Sequence, residues 1–215
     1  MKAHTTQYIA TWNARGLYSS KADLEHLLSE CAKQQQEIPH ILVLTEVKQR
    51  RVHGWIRQSL RDYHVFASLA EDNPDNPQQP AKTQNKKSEK KRGKAGVLVA
   101  VRKDWIMLGT ATATALPGET AGYMSQVEIH LPDSAPLTVV GMYCPHNLAA
   151  RHRVYSAFDK TNENSATPMI VAGDFNASWK DDDRASGKRE TADGAHRAFM
   201  LRNNLLPMDG ADTPR

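Results

Sequence analysis

The chain has 215 residues, enough for one domain with a substantial core, and its 40% hydrophobic and 24% charged residues exclude a fibrous or wholly disordered protein. The net charge is +4, but Lys82 to Lys94 alone carry seven basic side chains against one acidic, so this stretch holds +6 and the other residues together −2. Two cysteines, Cys31 and Cys144, rule out a disulfide framework, and no apolar run approaches the ~20 residues of a membrane span; with no signal-peptide core at "MKAHTTQ", an intracellular chain in nucleus or cytoplasm is expected, with no membrane partner.

Taken in order, "QYIATW" (7–12) is rich in strand formers and stops at the turn-like cluster Asn13-Ala14-Arg15-Gly16. Residues 21–36 place Leu24, Leu27, Leu28 and Cys31 at helical spacing, with Ser20 or Asp23 as cap. "HILVLTE" (40–46) is a continuous apolar run that reads as a strand covered on both faces and ending in a carboxylate. Residues 52–60 form a short helix and 64–70 another strand. Residues 71–94 contain three prolines, many Asn, Gln and Lys, and no aromatic residue; they read as a disordered basic insertion within a single domain spanning 1–215.

The pattern resumes with a strand in 95–105. "GYMSQVEIHLP" (122–132) and "PLTVVGMYCP" (136–145) flank the turn "DSAP" as an antiparallel hairpin. Residues 150–161 read as a helix, 168–174 as another buried strand and 194–205 as a last helix. Apolar strands that alternate only partly with helices imply a four-layer α/β/β/α sandwich of two mixed sheets.

Chemistry gathers where the strands end, at Asn13, Glu46, Tyr143, and Asp174 with Asn176. In extended chain, residues i and i+2 point to the same side, so Asp174 and Asn176 address one ligand while Phe175 turns away. Hard oxygen donors suit Mg²⁺ or Mn²⁺, which take one or two carboxylates and leave positions for phosphate oxygens. Zinc is disfavoured, because there is no CxxC pair and no His pair at i, i+4 beside a Glu. The basic side chains Lys86, Lys87, Lys90, Lys91 and Arg92 make the insertion a candidate nucleic-acid contact.

The segments "ATWNARGL" (10–17), "ILVLTEVK" (41–48), "RGKAGVLVAVRKDW" (92–105), "VVGMYCPHN" (139–147) and "VAGDFNAS" (171–178) resemble, in order and spacing, the endonuclease/exonuclease/phosphatase family. The wording "WNARGL" is most similar to the retrotransposon endonuclease branch. This resemblance implies that Glu46 ligates a divalent metal, with Asn13 beside it in direct or outer-sphere contact. It implies that Asp174 orients or deprotonates the attacking water, and that Asn176 and Tyr143 hold the scissile phosphate. After Pro145 the polar partner is His146 or a shifted Asn147. The implied activity is phosphodiester hydrolysis on DNA, or RNA, by a monomer; a phosphomonoesterase of the same fold and a non-catalytic nucleic-acid-binding module are the alternatives. The family's closing Ser-Asp-His element does not occur before Arg215, which implies a domain truncated at its C-terminus and impaired or inactive in this form.

Overall fold

In a computed structural model the described residues are 7–17, 21–33, 38–49, 51–69, 95–107, 109–116, 120–178 and 190–208. They group into two compact units, Met1–Tyr143 with Asn164–Asp174, and Cys144–Glu163 with Phe175–Arg215.

The first unit holds both sheets. Strands β1 (Ile9–Asn13), β2 (Ile41–Thr45), β3 (Tyr63–Ser68) and β4 (Val97–Arg102) form one sheet in the order β1-β2-β4-β3. Strands β5 (Thr110–Ala113), β6 (Met124–His130), β7 (Leu137–Tyr143) and β8 (Met169–Asp174) form the other, in that order. Both are mixed: β1 runs parallel to β2 and β7 to β8, and the remaining neighbours are antiparallel. The hairpin expected around "DSAP" is the β6–β7 pair, with Val127 opposite Val139.

The apolar run in β2 serves two cores by alternation. Ile41 and Val43 point, with Val99 and Val101 of β4, into a layer shared with Val127, Ile129 and Val139 of the second sheet. Leu42 and Leu44, with Leu98 and Ala100, face the other way and pack with Leu24 of α1 (Lys21–Lys33) and Ile56 of α2 (Gly54–Ser59). Every residue of β2 is buried, as a strand covered on both faces requires. This is the α/β sandwich with two mixed sheets expected from the sequence.

Two details differ. Strand β8 is half-buried along its whole length, because it lies at the edge of its sheet; its apolar composition alone suggested a buried strand. Strand β5, "TATA", is mostly exposed and escaped the sequence reading because it lacks an apolar face.

The second unit contains α3 (Leu148–Asn162) and α4 (Thr191–Arg202). Tyr155 of α3 stacks on Phe199 of α4 with ring centres 4.2 Å apart, and Phe158 meets Phe199 edge-on at 5.0 Å. Among the described residues no helix is long and apolar enough to cross a membrane. The basic insertion, including Lys86, Lys87, Lys90, Lys91 and Arg92, lies outside the described residues, as does the acidic run 181–183.

Candidate active site

Parallel pairing delivers the site. Asn13 is the register partner of Thr45, so the ends of β1 and β2 coincide and Glu46 leaves the sheet beside Asn13. In the second sheet Tyr143 is the partner of Asp174, so β7 and β8 end together as well. The two edge strands β1 and β8 are tied through one side chain. Asn13 Oδ1 accepts a hydrogen bond from the Arg15 amide at 3.0 Å, which fixes the orientation of its own amide group. Its Nδ2 then donates both to Glu46 Oε1 at 3.1 Å and to Asp174 Oδ2 at 2.6 Å. Side chains 33 and 161 positions away in sequence thus converge on one amide nitrogen.

Glycine is required immediately before the second carboxylate. Gly173 has φ +145°, and a Cβ there would collide with the Met142 carbonyl oxygen, so no larger residue allows β8 to approach β7 and carry Asp174 to this place. Tyr143 stacks nearly parallel on Tyr123, ring centres 6.2 Å apart, and its amide donates to the Tyr123 carbonyl at 2.8 Å.

Two negative groups on one amide need a cation, and Lys48 supplies one, its Nζ 2.5 Å from Glu46 Oε2. Partial burial pushes the Glu46 carboxyl upward, but hydrogen bonds from Lys48 and Asn13 and the positive charges of Lys48 and Arg15 outweigh it and hold the group below its ordinary range. Glu46 is therefore a carboxylate at neutral pH. Lys48 and Arg15 were not singled out in the sequence. The spacing of Lys48, two residues after Glu46, does not reveal it, because the backbone at both positions is left-handed rather than extended.

The donor set fits a hard divalent cation. Glu46 and Asp174 offer oxygen only, the donor type of such a cation, and among the described residues no group of three His, Cys, Asp or Glu side chains is placed to hold a metal ion. Asn13 presents its N–H₂ group to both carboxylates and engages Oδ1 with the backbone, the disposition of a residue that orients ligands.

Asn176 and His146 belong to the second unit. Asn176 has φ +46°, and its Nδ2 donates to the Cys144 carbonyl at 2.9 Å. The carbonyls of Phe175 and Asn176 accept from the two terminal nitrogens of Arg151 at 2.9 and 3.0 Å. Arg151 is fully buried and was not singled out in the sequence, where residues 150–161 read only as a helix. His146 is exposed. Asn147 is the N-cap of α3, its Oδ1 accepting from the Ala150 amide at 3.0 Å.

Deeper in this unit, His196 Nδ1 lies 3.3 Å from the Tyr155 hydroxyl, and its ring packs on Phe175 at 4.7 Å. Burial, aided by the charge of Arg151 and only partly opposed by Asp193, lowers His196 to about 4. Burial, with the charge and hydrogen bond of Cys144, pushes the Tyr155 hydroxyl above its ordinary range, against the opposing effect of Arg151. Neither side chain is charged at neutral pH.

A family model described as Endonuclease/Exonuclease/phosphatase family matches residues 10–213. Among solved structures, the endonuclease domain of TRAS1, a telomere-specific non-LTR retrotransposon, aligns with a TM-score of 0.62 at 15% identity, over 97% of this chain and 78% of that one. The 3'-5' exonuclease NExo of Neisseria meningitidis aligns with a TM-score of 0.58 at 15% identity, over 90% of this chain and 70% of its own. The AP endonuclease LMAP of Leishmania major aligns with a TM-score of 0.56 at 20% identity, over 90% of this chain and 66% of its own. No curated protein sequence matches.

Proposed function

The chain belongs to the endonuclease/exonuclease/phosphatase family, and on that premise we propose that it is a divalent-metal-dependent phosphodiesterase acting on nucleic acid, DNA in the first instance. The observation that carries this reading is the Asn13 amide shared between Glu46 and Asp174, which sets two carboxylates from different sheets around one small volume. Glu46 is the metal-holding carboxylate, with Asn13 orienting it; Mg²⁺ or Mn²⁺ bound there supplies charge neutralisation for the phosphoryl group. Asp174, hydrogen-bonded by Asn13, orients or deprotonates the attacking water. Tyr143, the register partner of Asp174 in the β7–β8 pair, holds the phosphate, and the family resemblance assigns Asn176 to the same task. His146 is exposed at the mouth of the helix that follows β7 and is assigned a lesser contact with substrate.

The substrate class rests on the resemblance to the endonuclease and exonuclease structures and on the basic stretch Lys82–Lys94, whose seven cationic side chains suit a polyanion.

The test is nicking of supercoiled plasmid with Mg²⁺ or Mn²⁺, run beside phosphate release from a monoester. Metal-dependent nicking that disappears in Glu46→Gln supports the proposal. Phosphate release without nicking would replace it with the phosphomonoesterase reading, and steeply salt-dependent DNA binding that vanishes on deletion of residues 82–94, with no cleavage, would replace it with the binding module.

A further inference from the structure

The loop that carries Glu46 is unusual in its backbone. Glu46 has φ +49° and Lys48 φ +52°, both in the left-handed region that side chains other than glycine seldom adopt. The surrounding chain enforces this. From one side Gly16 and Leu17 amides donate to the Glu46 and Val47 carbonyls at 2.8 and 3.0 Å. From the other, Val47 and Lys48 amides donate to the Gly96 and Ala95 carbonyls at 3.0 and 3.1 Å. Gly96 approaches so closely that a Cβ there would stand 3.2 Å from Val47 Cβ and 3.3 Å from the Lys48 nitrogen. Val47 is fully buried, which turns Glu46 and Lys48 out together.

The consequence is that both oxygens of Glu46 have a partner within the chain: Oε1 has Asn13 and Oε2 has Lys48. The two partners are not equally held. Asn13 is anchored at its other end by Arg15 and shared with Asp174, whereas Lys48 hangs on a flexible four-carbon stem and its side chain is one-third exposed. Of the two partners, the Lys48 ammonium is the one a divalent ion held by Glu46 would displace, while Asn13 would stay in place.

We propose that Lys48 is a tethered counter-ion that competes with the divalent metal for Glu46 and so sets the metal concentration at which the site fills. This inference rests on the metal-dependent reading of the site. It makes the lysine a device that holds Oε2 of the carboxylate in place, at the cost of weaker metal affinity.

The test measures metal binding without cleavage, by titrating the full chain with Mn²⁺ and following free Mn²⁺ by electron paramagnetic resonance. Lys48→Met is expected to bind Mn²⁺ roughly three- to tenfold more tightly than the wild type, the size of effect a partly exposed ion pair supports. Lys48→Arg, which keeps the charge, is expected to stay within about twofold of the wild type. Equal or weaker binding by Lys48→Met, or tightening by Lys48→Arg as well, overturns the proposal and leaves the metal-dependent reading standing. Absence of Mn²⁺ binding in both wild type and Lys48→Met overturns the two together. A measurement that needs no variant is the Lys48 side-chain nitrogen resonance during Mg²⁺ titration of the wild type: a shift that follows the binding isotherm is expected, and an unmoved signal while Mg²⁺ binds refutes the competition.

Discussion

Glu46, at the end of β2, and His196, between α3 and α4, are both largely withdrawn from water, and burial acts against charge at each. The outcomes are opposite. At Glu46, hydrogen bonds and two cations overcome burial, and the carboxylate stays ionised below its usual range. At His196 the charge of Arg151 has the wrong sign, outweighs the opposing charge of Asp193 and adds to burial in keeping the ring neutral. A buried titratable group is thus a candidate for metal or acid-base chemistry only where its partners preserve the charged form; His196, with a hydroxyl and three aromatic rings around it, is a packing residue.

The comparison can be broken most severely at the charged end. Asp174→Asn keeps the hydrogen-bonding volume and removes the charge, and metal-dependent plasmid nicking is expected to fall about 10²- to 10⁴-fold with little change in melting temperature. At the neutral end the largest effect is structural: Arg151→Met orphans the carbonyls of Phe175 and Asn176, and urea unfolding should record a loss of about 4 kcal/mol. The same variant should raise the His196 titration midpoint seen by NMR, since the opposing charge is gone.

His196 itself gives an acid signature. Its folded value, about 4, lies below the 6.5 of the unfolded chain, so between these the unfolded state binds more protons and stability falls as pH drops from 6.5 towards 4. The loss approaches about 3 kcal/mol, and His196→Phe should flatten the stability profile over that window. Glu46 acts in a lower window: its depressed carboxyl contributes stability that is present above 4.5 and disappears as pH falls through the lower folded value, so Glu46→Gln should leave the slope between 6.5 and about 5 unchanged and alter it only below that. The smallest effect expected is at Asn147→Ala, where loss of the α3 cap costs about 1 kcal/mol in thermal unfolding.

Much of the fold was legible because strands covered on two faces are written as continuous apolar runs, as in "ILVL", and hairpins as alternation around a turn, as in "VEIHLPDSAPLTVV". Strand β5 was not, since a short, exposed edge strand of Thr and Ala carries no apolar period. For the site, a carboxylate or amide at a strand end located Asn13, Glu46 and Asp174, and the structure brings those three to one hydrogen-bonded group. Lys48 and Arg151 were missed for different reasons. Lys48 faces Glu46 because the buried Val47 and the left-handed backbone at both positions turn the two side chains out together, which the spacing in "EVK" does not reveal. Arg151 leaves no trace either: burial of an arginine within a helix of mixed polarity is decided by which carbonyls the chain presents to it, and here those belong to residues 24 and 25 positions further along.

The ladder between β3 and β4 has a further implication. Ser68 stands directly opposite Val97, so the chain leaves and re-enters the sheet at neighbouring rungs of one antiparallel pair. The sheet on either side is therefore indifferent to how many residues intervene, since lengthening such a closure raises its entropic cost only logarithmically. A shorter connection grafted between Leu69 and Ala95 would serve the same pairing and keep the Ala95 and Gly96 carbonyls that hold the Glu46 loop, which makes this junction the natural place to exchange or splice a segment while the sheet is left intact.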